Sequence, residues 1–304
     1  MRLVTFTDQH TSEFRAGVLI TDNSVDFVVD LQQARIGLPR SMRALLRALD
    51  GDFETLASLV HSVPAKFRIP FSRVALGPVV ADPEKVLCIG LNYRDHAAET
   101  SLPVPEVPNV FAKYSNTLIG SGECIRLPDN TSQVDYEAEL AFIVGRRAKN
   151  ICAEDALDYV AGYAAFNDVS ARDFQLRTSQ WTLGKSFDTF APLGPFLVTK
   201  EDIPDPHALR IRLSIGNEVL QDSNTANLVF RIPELLSHIS SVMTLEPGDV
   251  VATGTPAGVG FTRKPPRYLQ AGETVRVEID GLGILENRVQ SINEGSGFQR
   301  RLYQ

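Results

Sequence analysis

The chain has 304 residues, 43% of them hydrophobic and 22% charged, the composition of an ordinary globular protein able to bury a sizeable core. Its 30 basic and 37 acidic residues give a formal charge of −7, which argues against nucleic acid or an anionic membrane as partner, because phosphates call for a basic face. No stretch approaches the roughly 20 apolar residues of a membrane span, and MRLVTFTDQH lacks the apolar run of a signal peptide, so the expected compartment is the cytoplasm.

In chain order, residues 2–7 and 17–20 read as short strands, and 24–30 as a third after the turn Thr21-Asp22-Asn23. Between 41 and 61, Leu45, Leu46, Leu49, Leu56, Leu59 and Val60 recur at helical spacing, and Asp50-Gly51-Asp52 divides them into two helices. A stretch with Pro64, Pro70, Pro78 and Pro83 then leads into Lys85. Residues 1–80 are expected to form a small N-terminal α+β domain, and 81–304 the main body. There the clearest strands are 86–90, 110–113, 138–144, 194–199, 211–215, 249–253 and 274–279, with helices at 155–161 and from Pro233 onward. So few helices among so many strands exclude a doubly wound parallel sheet and suit an α+β, β-rich sandwich or roll. Cys88, Cys124 and Cys152 are sparse and unpaired in sequence, as reduced thiols are, and Cys88 reads as buried filler.

The strongest chemical signal is Val134-Asp135-Tyr136-Glu137-Ala138-Glu139-Leu140. In one strand, Asp135, Glu137 and Glu139 share a face, opposite Tyr136, Ala138 and Leu140. Carboxylates so crowded are either a solvated acidic face or the oxygen ligands of Mg²⁺, Mn²⁺ or Ca²⁺. Asp168 ends the apolar run 162–167, and a carboxylate delivered from the interior needs a partner, either Arg172 or a metal ion. In Gly90-Leu91-Asn92-Tyr93-Arg94-Asp95-His96-Ala97-Ala98-Glu99, Asn92 is placed as an N-cap with Asp95 imitating a capping box, and His96 and Glu99 meet one turn apart. Such a pair is either a surface contact or a carboxylate-oriented general base. Lys185 and Lys113 sit among apolar residues, as snorkelling lysines or as positive charge for an enolate. The loop at 253–260, TGTPAGVG, follows a strand and is either a tight turn or a cradle of backbone N–H groups for a carboxylate or phosphate.

Together the segments GLNYRDHAAE (90–99), FAKYSNTLIG (111–120), VDYEAELAFIVG (134–145), GYAAFNDVSARDFQ (162–175), GKSFDTFAPLGP (184–195) and GDVVATGTPAGVG (248–260) resemble the fumarylacetoacetate hydrolase superfamily from about Lys85 onward. The resemblance implies a mixed β-sandwich roll, a homodimer, and Mg²⁺ or Mn²⁺ (Ca²⁺ in crystals) on Glu137, Glu139 and Asp168. It makes His96 and Glu99 the water-activating dyad on a segment that closes over the substrate, and Lys185 the lysine beside the metal. Gln175, Thr255 and Lys113 become substrate-facing, Arg172 a supporting residue, and Asp135 a residue outside the metal's ligands. Leu91 stands where acylpyruvate-cleaving members often carry arginine, and Tyr114 where many have proline. The expected activity is metal-dependent C–C hydrolysis of a 2,4-dioxo acid or acylpyruvate through an enolate. The alternatives are an oxaloacetate-type decarboxylase or tautomerase, a 2-hydroxy-dienedioate isomerase and, remotely, a non-catalytic metal-binding protein.

Overall fold

The strand Ala138–Val144 is buried along its whole length, because it lies inside a large sheet covered on both faces. Leu140, Phe142 and Val144 enter one apolar cluster, whereas Ala141 and Ile143 enter another. This alternation is what a two-residue repeat dictates when neither face meets water. The computed structural model describes residues 1–8, 11–34 and 37–293.

The large sheet runs in the order Arg68–Pro70, Val25–Asp30, Thr11–Asp22, Arg2–Asp8, Ala191–Thr199, Val160–Asn167, Ala138–Val144, Val250–Ala252, Val86–Gly90 and Asn109–Lys113. Residues 1–80 therefore add strands to the same sheet, joined where Leu3 pairs with Leu197. A second sheet, Glu218–Asn224, Arg210–Ile215, Thr274–Ile279, Gly283–Ser291 and Cys124–Leu127, contributes Leu213, Val277 and Leu285 to the cluster containing Leu140 and Phe142. On the opposite face, Leu45, Leu46 and Leu56 of two short helices share the cluster of Ala141 and Ile143. The fold is thus the β-rich mixed sandwich the sequence implied, backed by helices.

Met42–Leu49 and Phe53–His61 are those helices, separated as expected at Asp50, whose φ of 44° ends the first, and Gly51. The helix after Arg231 spans Ile232–Val242, with Pro233 in its first turn. The helix expected at 155–161 is instead a 3₁₀ segment, Ala153–Tyr159, because Val160 already begins a strand hydrogen-bonded on both sides. The acidic strand is also not continuous. Val134–Asp135 pairs with Ser170–Ala171 in a separate ladder, and the chain leaves strand geometry at Tyr136 and Glu137.

Two pairings position the site. Ala138 lies opposite Asn167 in an antiparallel register, so Glu137 and Asp168 leave their strands side by side, and the Asp168 N–H donates to the Glu137 carbonyl at 2.9 Å. Val250–Ala252 runs parallel to Val86–Gly90, so the loops starting at Thr253 and at Leu91 emerge at one end of the sheet.

Candidate active site

Glu137, Glu139 and Asp168 each offer a carboxylate oxygen within 4.8 Å of the others, and all three are buried. A solvated acidic face is thereby excluded. Asp168 is paired not with Arg172 but with two lysines: Lys113 Nζ donates to Oδ1 at 2.5 Å and Lys185 Nζ to Oδ2 at 2.7 Å. Lys185 also donates to Glu137 Oε2 at 2.8 Å. Neither lysine snorkels, since both are about 2% exposed. Arg172 donates from Nε to Asp135 Oδ2 and from Nη1 to Gln175 Oε1, both at 2.8 Å, and its Nη2 forms an ion pair with Glu137 Oε1 at 2.7 Å.

Crowding drives the acids apart in acidity. Burial opposes the Glu137 charge, but Lys185 and Arg172 outweigh it and hold its pKa down at about 2. Burial, then the negative Asp168 and Glu137, push Glu139 well above the carboxylate range. Burial lowers the Lys113 pKa against the pull of Asp168, whereas for Lys185 Asp168 and Glu137 overcome burial and raise it. A set of buried, hard oxygen donors with one acid reluctant to ionise beside its neighbours fits a divalent cation.

The helix Arg94–Thr100 carries the second group. His96 Nδ1 lies 2.9 Å from Glu99 Oε2, while Glu99 Oε1 accepts from the Gly258 N–H at 2.9 Å and the Thr262 hydroxyl at 2.8 Å. Burial raises the Glu99 pKa, but its bonds to His96, Gly258 and Thr262 bring it below the ordinary value. Asn92 does not cap this helix, which starts after Tyr93. Its side chain instead donates to the carbonyls of Phe230 and Thr253 and accepts from the Phe230 N–H. Asp95 accepts from the His96 N–H and, at 2.6 Å, from the Ser223 hydroxyl. The capping-box expectation fails because distant chain offers both residues closer partners.

The loop at 253–262 does cradle carboxylates, but they are the protein's own. Gly254 N–H donates to Glu139, Gly258 to Glu99, and Gly260 with Phe261 to Asp135. Gly260 is obligatory, as a Cβ there would stand 1.8 Å from the Arg267 carbonyl oxygen. Asp135, saturated by these bonds, by the Tyr136 N–H and by Arg172, is kept out of the carboxylate trio. Thr255 Oγ1 accepts from Gln221 Nε2, and Gln221 Oε1 accepts from the Ala138 N–H.

A cavity of about 330 Å³ joins both groups, with His96, Glu137, Glu139, Arg172, Gln175, Lys185 and Thr255 in its wall. Lys113 and Asp168 do not line it. Thr262, Gln221 and Trp181 were missed from sequence, as nothing in their local surroundings distinguishes them. His96, held by Glu99, thus shares one cavity with Glu137 and Glu139 of the buried acidic trio.

The Fumarylacetoacetate (FAA) hydrolase C-terminal family matches residues 85–290, and the chain belongs to that family, as one of its enzymes. It is 44% identical over 291 residues to a mitochondrial oxaloacetate tautomerase of Xenopus laevis, covering 95% of this chain and 90% of the relative. Among solved structures, fumarylacetoacetate hydrolase from Exiguobacterium antarcticum superposes with a TM-score of 0.80 at 33% identity, covering 96% of this chain and 100% of that one. Maleylpyruvate hydrolase from Sphingobium sp. SYK-6, in complex with manganese(II) and pyruvate, gives 0.78 at 31% identity, covering 96% and 99%. The mitochondrial name of the Xenopus relative differs from the cytoplasm expected above. Among the described residues no helix is long and apolar enough to cross a membrane.

Proposed function

We propose that the protein is a metal-dependent keto–enol tautomerase of a 2-oxo acid, with oxaloacetate the first acid to test. The observation that carries this is that His96, held by Glu99, lines one cavity with Glu137 and Glu139 of the carboxylate trio. The oxaloacetate tautomerase name of a relative 44% identical supports the net reaction.

Glu137, Glu139 and Asp168 would hold Mg²⁺ or Mn²⁺. The ion would supply Lewis acidity to the carboxylate and keto oxygens of the acid. Glu99 fixes His96 through Nδ1, which leaves Nε2 to move a proton at the substrate's C3. Lys185, held protonated by Glu137 and Asp168, adds positive charge where the enolate oxygen develops. Gln175, fixed by Arg172, and Thr255, fixed by Gln221, orient the acid. Lys113 acts from behind, through Asp168.

The C–C hydrolysis expected from sequence is the second reading, favoured by the same dyad, which would equally deprotonate a water. Product mass separates the two. Purified protein with Mg²⁺ should speed the loss of enol absorbance of oxaloacetate over Mg²⁺ alone, with the acid's mass unchanged. Cleavage products from a 2,4-dioxo acid, without tautomerisation, would establish the hydrolase instead.

Residues 81–304 are proposed as the catalytic unit, with 1–80 an extension of its sheet. A homodimer is proposed too, supported by Val107 and Leu183, 64% and 75% exposed. Light scattering that gives a monomer mass would remove that element.

A further inference from the structure

The cavity is chemically two-ended. Its charged lining residues are all buried and form the inner end, whereas Leu91, Leu102, Pro103, Pro105, Phe111 and Trp181 are half-buried or exposed and form the outer wall. Trp181 packs edge-on against Phe111 with ring centroids 5.7 Å apart. It closes over Gly90, where a Cβ would lie 2.3 Å from the indole. This apolar wall is thus fixed by packing.

Among the described lining residues the cationic or titratable bases are His96, Arg172 and Lys185, and each is committed. His96 holds Glu99, Lys185 holds Glu137 and Asp168, and Arg172 holds Asp135, Glu137 and Gln175 while its guanidinium lies 4.4 Å from the Phe261 ring centre. A second carboxylate would lie against the apolar side chains of the outer wall with no uncommitted cation of the described lining to meet it. The volume, about 330 Å³, is in the range of roughly 300 Å³ upward that holds ligands well beyond a four-carbon acid.

We propose that the outer end of this cavity selects an apolar or aromatic substituent, so that the preferred substrate is a 2-oxo acid with a single carboxylate. Oxaloacetate is then accepted in spite of its second carboxylate, not by means of it. This rests on the reading of the site as a 2-oxo acid site.

The chain's single tryptophan, Trp181, stands in the cavity wall and reports binding without turnover. The test titrates 4-methyl-2-oxopentanoate and 2-oxoglutarate, acids of equal main-chain length, into the Mg²⁺-loaded protein, following Trp181 emission and heat. The branched acid should bind at least about tenfold more tightly. Equal affinities, or tighter 2-oxoglutarate, overturn the selectivity and leave the 2-oxo acid site standing; binding of neither overturns both. Leu91→Arg and Leu102→Arg, the latter at a position 54% exposed and tolerant of charge, should each bring the ratio towards one. A ratio unmoved by either substitution contradicts the assignment of the wall.

Discussion

Two clusters of buried charge in this molecule are built to different ends. Near the N-terminus, Arg15 donates from Nε to Asp30 at 2.5 Å and from Nη2 to Asp8 at 2.6 Å. Arg15 lies on Thr11–Asp22, and its partners end the strands on either side, so the cluster cross-ties three neighbouring strands. Burial works against the Arg15 charge, yet Asp30 and Asp8 outweigh it and raise its pKa. In the carboxylate trio the acids are set against one another as well as against cations, and Glu137 and Glu139 move in opposite directions. A cross-tie keeps every acid beside a base; a site keeps acids together, at a cost in stability, until a ligand joins them.

Glu139→Gln should cut Mg²⁺-dependent turnover by at least roughly a hundredfold. It should also stabilise the metal-free protein by about 1–2 kcal/mol, because a crowded carboxylate is removed. Enzyme kinetics and urea unfolding in EDTA measure the two, and loss of both activity and stability would place the trio with the cross-ties. Arg15→Met should do the reverse, losing about 3–5 kcal/mol of stability through Asp8 and Asp30 while turnover of the folded fraction is kept.

Thr262→Val sharpens the contrast inside the site itself. The hydroxyl touches Glu99 and not the cavity, so its loss should lower kcat by about tenfold, roughly 1.4 kcal/mol of barrier, with KM little changed. Thr262→Ser should restore the rate, and a failure to do so would mean packing, not the hydrogen bond, matters there.

The smallest effect is a pH dependence outside the trio. His207 Nε2 accepts the Ile232 N–H at 3.2 Å, at the start of the helix Ile232–Val242. Burial, then Arg231, lowers its pKa below the ordinary 6.5. The folded protein therefore binds fewer protons here than the unfolded chain. The contribution is full above pH 6.5 and is lost as pH falls through the lower folded value. Urea midpoints at about pH 7.5 and 5.5 should show roughly 0.5–1.5 kcal/mol of this loss in the wild type and less in His207→Gln. Equal losses in both proteins would exonerate His207.

What was legible in the sequence was whatever local spacing carries. The break at Asp50-Gly51, the strand at 138–144, and the one-turn interval between His96 and Glu99 all stand in the structure. Order among six motifs added Glu137, Glu139 and Asp168, which no single segment singled out, and the structure brings these three together. Partnerships across the fold were not legible. Asp168 lies beside Lys113 and Lys185 rather than the nearer Arg172, because the strand register decides which side chains share a space. Asn92 and Asp95 looked like a local cap but serve Phe230 and Ser223, more than a hundred residues away. The glycine loop advertised free N–H groups; that they are spent on Glu139, Glu99 and Asp135 follows only from folding it over the strands.

The most direct test of the central claim is a Mn²⁺ titration of the metal-stripped protein, read by electron paramagnetic resonance, in the wild type and in Asp168→Asn. One bound Mn²⁺ per chain, lost in the variant while its circular dichroism is unchanged, is the result expected of a trio that holds the catalytic ion. Undiminished binding in Asp168→Asn, or no bound Mn²⁺ in the wild type, would contradict it.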